Sequence, residues 1–251
     1  MITKNNILMK KKKNPTSCVI IIGNEILSGR TLDTNKHYLC KELTLNGIDV
    51  VEARVIKDEE KEIINVVNEV RKKYNYIFTT GGIGPTHDDV TSLSIAKAFK
   101  VKLVKNKNAV KFLKIYYSSM KKQLNEYRLK MAFIPKGAEL LHNSITKVAG
   151  FRMKNVYVMA GIPQIMEAMF KEIILKIKKG IPYISKTILI NTPESNIAKD
   201  LSNIQKKFKE VEVGSYPFLN KKLKGVNIVL RSKNKKEINK ATKEIRKIIN
   251  I

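Results

Sequence analysis

The run Cys18-Val19-Ile20-Ile21-Ile22 contains no polar residue and empties into Gly23-Asn24-Glu25. A strand with one wet face alternates apolar and polar side chains, whereas an unbroken apolar run is covered on both faces. A parallel sheet with helices packed on it meets that requirement, and the rest of the chain agrees. Residues 35–46 read as a helix with Leu39 and Leu43 on one side and Gly47 as its stop, and residues 48–55 as a strand. Residues 59–74 give the clearest amphipathic helix, with Ile63, Val66, Val67 and Val70 at three- and four-residue spacings. Strands at 76–78 and 156–159, a helix at 92–99, and one or two helices within 108–131 continue the pattern. Residues 102–104 read as short and extended, and 139–153 as irregular or hairpin-like. Pro163 sits where a first-turn proline belongs, opening a helix to about residue 179. Strands interleaved with helices of this length predict βαβ units and an α/β fold with a mainly parallel sheet.

Three segments follow. Residues 1–16 read as a disordered basic arm, with Met9 an alternative start, and residues 17–180 as the α/β domain. Gly180-Ile181-Pro182 marks a boundary. Residues 181–251 then read β-α-β-β-α, a small α+β domain whose first helix opens at Thr192-Pro193-Glu194 as cap, proline and acid.

Net charge of +27 raises the question of a nucleic-acid partner. Arginine is confined to positions 30, 54, 71, 128, 152, 231 and 246, while evenly spread lysine, with abundant Ile and Asn, supplies the rest. A genome poor in G and C produces that mixture without a partner. There is no zinc-ligand spacing and no arginine-and-aromatic stretch of the kind that reads bases, so no dedicated nucleic-acid surface is expected. No apolar run approaches membrane-spanning length. Lysines 10–13 follow Ile7-Leu8-Met9 with no long apolar region behind them, unlike a secretory signal. Cys18 and Cys40 read as reduced thiols of a cytoplasmic protein.

The chemistry is concentrated where strands end. After the third strand comes Thr79-Thr80-Gly81-Gly82-Ile83-Gly84-Pro85-Thr86-His87-Asp88-Asp89-Val90-Thr91. Glycines reach φ > 0 and bring backbone N–H groups close to an anion, and a helix start adds further donors. Asp88 and Asp89 would repel a bare phosphate, so they imply a bridging metal, a hydroxyl-rich ligand or a capping role. Gly23, Asn24 and Glu25 follow the first strand, Asp58 the second, and Gly161 and Pro163 the fifth, so all should share the rim where parallel sheets bind ligands. Simpler roles stand beside these. Asp58 suits a helix N-cap, Asp88 or Asp89 a cap for the helix at 92–99, and Thr34 or Asn35 a cap for the helix before Gly47. Divergent neighbouring side chains would let only one of Asp88 and Asp89 face a ligand. Glu25 has no such alternative. The glycine loop is no P-loop, since neither Lys-Ser nor Lys-Thr follows it, and it lacks dinucleotide-fold spacing. His37, His87 and His142 accompany no nucleophile elbow, and Met159, Met166 and Met169 fall on apolar faces as core.

These motifs together resemble the molybdopterin-binding (molybdenum cofactor biosynthesis) domain family. The Gly84-Pro85-Thr86-x-Asp88-Asp89 form, Gly23-Asn24-Glu25-Ile26-Leu27-Ser28-Gly29 with Asp33-Thr34-Asn35, Asp58, and Gly161-x-Pro163 are similar to the competence/damage-inducible protein A branch. Glu194-Ser195-x-Ile197-Ala198 and Gly214-Ser215-Tyr216-Pro217 resemble that branch's second domain and a part of bifunctional FAD synthases.

The resemblance implies a three-layer αβα domain holding a phosphorylated pterin or nucleotide, with molybdopterin itself a possible ligand. It further implies metal-dependent hydrolysis of a pyrophosphate such as ADP-ribose or FAD, and dimers or trimers. Asp89 with Asp58 or Glu25 would hold Mg²⁺ or Co²⁺, hard ions that suit carboxylate oxygens. Gly81, Gly82, Gly84 and Thr86 would cradle phosphate, with Pro85, Asp88 and Thr91 around them, and Thr80 and Asn35 would meet sugar or base. The chain ends too early for the branch's amidohydrolase domain, whose activity is expected to be absent. The family's Asn-x-x-Gly-x-Ala-x-Gly stretch survives only as residues 143–150, which leaves open a non-catalytic binding module. Molybdopterin adenylyltransferase is a further alternative.

Overall fold

A computed structural model describes residues 13–219 and 224–248. Most of the expected N-terminal arm lies outside them. Its last residues are not disordered: Asn14 is buried and its amide donates to Asp49 Oδ1 at 2.8 Å. The chain divides into two compact units, Met1–Gly180 and Ile181–Ile251, each with its own core.

The first unit runs β1 (Thr16–Ile22), α1 (Asn24–Leu27), α2 (Thr34–Leu45), β2 (Asp49–Ile56), α3 (Glu60–Val70), β3 (Tyr76–Thr80) and α4 (Thr91–Ala98). It continues with β4 (Leu103–Lys105), α5 (Lys107–Ser119), α6 (Glu126–Lys130), β5 (Phe133–Pro135), β6 (Glu139–Leu141), β7 (Gly150–Met153), β8 (Val156–Met159) and α7 (Pro163–Lys176). Six strands form one sheet in the order β2-β1-β3-β8-β7-β6. The pairs β1–β2, β1–β3 and β3–β8 are parallel, and β7 and β6 complete the sheet antiparallel. The irregular or hairpin-like stretch thus becomes an antiparallel edge. Strands β4 and β5 pair separately.

Register decides where a ligand can sit. Ile22 pairs with Ile56, Ile21 with Thr80, and Thr80 with Met159. The four parallel strands therefore end level, and Gly23, Asp58, Gly81 and Gly161 emerge along one rim. Thr79 and Thr80 belong to β3 rather than to the loop, and both are buried.

Helices α2 and α7 pack on one another, as do α3 and α4, giving three layers. Between them Phe78 stacks on Tyr157 with centroids 5.3 Å apart and meets Phe170 edge-on at 5.7 Å. Met159, Met166 and Met169 are fully buried, as their positions suggested. Cys18 is buried too, and desolvation pushes its thiol up to about 12. Among the described residues no helix is long and apolar enough to cross a membrane.

The second unit contains β9 (Ile184–Ile190), a single 3-10 turn (Glu194–Asn196), α8 (Ala198–Lys207), β10 (Glu212–Leu219), β11 (Lys224–Ser232) and α9 (Lys235–Ile248). Its antiparallel sheet, ordered β10-β11-β9, buries Ile188, Val226, Ile228 and Leu230 with Ile204, Ile238 and Ile245 from the helices. The helix start at Thr192-Pro193-Glu194 needs correction. Pro193 opens only the 3-10 turn; Ile197, with φ −115° and its side chain buried, interrupts the spiral before α8 begins.

Phe78 is the test of the three-layer packing. Phe78→Ala removes a fully buried ring and should cost about 3–5 kcal/mol. Urea unfolding of the variant against the parent checks this; a loss under roughly 1 kcal/mol would contradict the packing described.

Candidate functional site

Glycine is compulsory at the rim for steric reasons. Gly81 has φ +105°, and a Cβ there would lie 2.0 Å from the Ile22 carbonyl oxygen. The main chain leaving β3 thus crosses directly over the end of β1, and its N–H donates to Met159 O at 3.2 Å. Gly82 has φ +67°, with Thr91 Oγ1 2.2 Å from the position a Cβ would take. Gly161 packs beside Gly81, and its carbonyl accepts from the Asn35 amide at 2.7 Å.

Several polar residues prove to build the rim. Asn35 is buried; besides Gly161 it donates to Thr80 Oγ1 at 3.4 Å, so it ties α2 to the ends of β3 and β8. Neither Asn35 nor Thr80 lines the cavity described below. Nor do Asn35 and Thr34 cap α2, because Asp33 does so by accepting from Lys36 N–H at 2.9 Å. Thr91 is fully buried under Gly82, and its N–H donates to Gly82 O at 3.0 Å. Pro163 opens α7 as expected but does not line the cavity, and Gly23, Asn24 and Thr86 stand outside its wall as well.

The acids separate into different tasks. Asp89 accepts from Gly84 N–H at 2.7 Å on one oxygen, and from Thr86 N–H at 2.7 Å and Thr86 Oγ1 at 2.6 Å on the other. Its carboxylate shapes the loop from within, a task not foreseen beside its expected metal role. Neither Asp88 nor Asp89 caps α4, whose N-cap is Val90 without a side-chain bond. Asp58 does not cap α3 either, since Glu59 holds that position. Instead Asp58 Oδ2 accepts from Asn24 N–H at 2.9 Å, joining the ends of β1 and β2. Burial holds the Asp58 carboxyl above the usual aspartate range; the Asn24 bond opposes this, and Glu25, Asp88 and Asp89 add to it by repulsion.

Glu25, Asp58, Asp88 and Asp89 all line one cavity of about 580 Å³ with Gly81, Gly82, Gly84, Pro85 and Gly161. Both neighbouring aspartates reach it, contrary to the expectation that only one would. Part of the lining went unnoticed in the sequence: Tyr116 and Tyr117 from α5, and Met131 after α6. Their signal was only an aromatic pair inside a helical stretch. Lys130 was missed too; its Nζ donates to the Thr86 carbonyl and bridges α6 to the loop. Among the described residues, no group of three His, Cys, Asp or Glu side chains converges as a ready-made metal cage.

A parallel α/β domain with glycines and acids at its strand ends has the layout in which open α/β sheets bind ligands. Residues 18–183 match the family described as the probable molybdopterin binding domain, and residues 182–250 match the FAD synthase middle domain. The chain belongs to the molybdopterin-binding domain family. A protein of Archaeoglobus fulgidus is 34% identical over 232 residues, which cover 92% of this chain and 97% of that one. A probable FAD synthase of Caenorhabditis elegans is 30% identical over 93% of this chain but only 50% of its own length. Among solved structures, the CinA protein of Thermoplasma acidophilum, titled as of unknown function, superposes with a TM-score of 0.58 at 32% identity, covering 62% of this chain and 94% of that one.

Two outcomes test this geometry. Asp58, raised in the fold, contributes stability that is complete below the ordinary aspartate value of about 3.9 and is lost as pH climbs through its raised folded value. Asp58→Asn keeps an oxygen for the Asn24 N–H and carries no charge. Its melting temperature should therefore gain on the parent between pH 4 and pH 7, and a pH-independent gap would refute the burial argument. Asp89→Ala strips the loop of its internal acceptor and should cost about 1–2 kcal/mol, by analogy with a lost cap. Asp89→Asn should recover part of that, as read by thermal melts.

Proposed function

We propose that this chain binds a phosphorylated nucleotide or pterin in the 580 Å³ cavity and, with a divalent metal, hydrolyses a dinucleotide pyrophosphate such as ADP-ribose or FAD. The observation that carries the reading is one cavity lined by both the glycine loop and four carboxylates. Its size falls within the range of small-molecule sites. The matches to a molybdopterin binding domain and to a FAD synthase domain support a pterin or nucleotide as the ligand class. The relatives named probable FAD synthases support a nucleotide, although the chain spans about half of their length.

The carboxylates suit a hard cation. Mg²⁺ is commonly carried by one or two carboxylates with several retained waters and the substrate's own phosphates, so a closed protein cage is not required. Asp58 and Glu25 would hold Mg²⁺ or Co²⁺; Asp89 has three donors on it already. Such an ion supplies Lewis-acid polarisation of a phosphoryl oxygen and a more acidic bound water. The chain's own part is orientation. Gly81 and Gly82 let the diphosphate approach the main chain, and the uncapped starts of α4 and α7 add positive dipole ends. Water's oxygen adds to one phosphorus while the bridging P–O bond breaks, giving AMP with ribose 5-phosphate from ADP-ribose, or with FMN from FAD.

Asp89's engagement inside the loop favours a second reading, a module that binds the same ligands without turnover. Incubation with ADP-ribose or FAD and Mg²⁺ or Co²⁺ separates the two. AMP release that falls at least about tenfold in Asp58→Asn supports hydrolysis. Tight binding with no AMP across a metal screen supports the binding module.

A further inference from the structure

The cavity has a chemically mixed lining: beside the glycines and carboxylates it includes aromatic and apolar side chains. Among these are Tyr116, Tyr117, Met131 and Val148. Tyr117, Met131 and Val148 pack against a small cluster of their own, in which Ala109, Leu113 and Ala132 are buried. Tyr117 is held from two sides. The Arg128 guanidinium lies 4.4 Å from its ring centroid, and Tyr116 meets it edge-on at 5.4 Å. Arg128 is in turn anchored by its bond to the Gln123 carbonyl. Such a ring keeps its orientation before any ligand arrives, so binding loses little side-chain entropy.

A pyrophosphate has nothing to place against aromatic and apolar side chains, and a ribose offers them only a small C–H face. A planar heteroaromatic ring offers a full π-face, which every base and every pterin or flavin ring has. Reading one base against another needs hydrogen-bonding side chains aimed at its edge. Among the described residues lining the cavity, side-chain hydroxyls come from the two tyrosines, Thr31 and Thr146. We infer that Tyr116 and Tyr117 are the specificity-determining residues of the site, and that they select ligands carrying a planar ring beside the phosphate without distinguishing which base it is. This rests on the phosphate-binding reading above and names the ligand class it admits.

The test uses the full chain with Mg²⁺ and calorimetric titration of ribose 5-phosphate, AMP, GMP and ADP-ribose. AMP and GMP should bind within about threefold of one another and about tenfold or more tighter than ribose 5-phosphate, the span that one stacked base supplies. Tyr117→Leu should bring both nucleotides down to the level of ribose 5-phosphate while leaving the latter unchanged, and Tyr117→Phe should keep the ring preference. Tyr116→Leu provides the same comparison if Tyr117→Leu does not fold, as judged by its melting curve. Equal affinity for AMP and ribose 5-phosphate, or an unaltered AMP affinity in a folded leucine variant, overturns the inference while leaving the phosphate site standing. A preference above about thirtyfold between AMP and GMP overturns base tolerance, since that exceeds 2 kcal/mol of edge reading. No binding of any of the four overturns the phosphate-site reading and this inference together.

Discussion

The passage of Gly81 over the end of β1 is the constraint on which the rest depends. A side chain there would stand 2.0 Å from the Ile22 carbonyl oxygen, and the backbone sits at φ +105°, where L-residues are rare. That crossing lets the loop lie flat across the sheet's rim. Gly161 can then pack against it, and Asn35 can bind the Gly161 carbonyl from the other side. Asp58 closes the row by holding the Asn24 N–H. The rim is thus a set of mutual main-chain supports, and the cavity is what lies in front of it.

Charge within the rim is deliberately unbalanced. The chain as a whole is strongly basic, yet four acids face one cavity. Burial of Asp58, with their repulsion added, holds that carboxyl above the usual aspartate range. Asp89 accepts three hydrogen bonds from its own loop. A buried carboxyl raised by neighbouring acids is the arrangement a cation relieves.

Much of the fold was legible from periodicity. The unbroken apolar run at 18–22 required two covered faces, and Ile63, Val67 and Val70 marked the buried side of α3; all are buried. The edge made by β6 and β7 was harder to see, because three- and four-residue strands carry too little periodicity to separate from a loop. The start of α8 was misplaced since Thr192-Pro193-Glu194 has the chemistry of a helix start, while burial of Ile197 outweighed it. At the site, glycines and acids were legible by residue type. Their division of labour was not: Asn35 and Thr91 have ligand-like side chains, and the structure uses both to build the rim.

From residues in order alone one could establish an α/β domain followed by a smaller α+β one, with glycines and acids at strand ends, because local period and turn chemistry are short-range properties. Which acid shapes the loop and which faces the cavity was decided by tertiary structure. So was the aromatic part of the cavity, since Tyr116 and Tyr117 lie far along the chain from the glycines with which they share it. Only folding sets the distances between strand ends, and hydrogen-bond partnership and desolvation both depend on those distances.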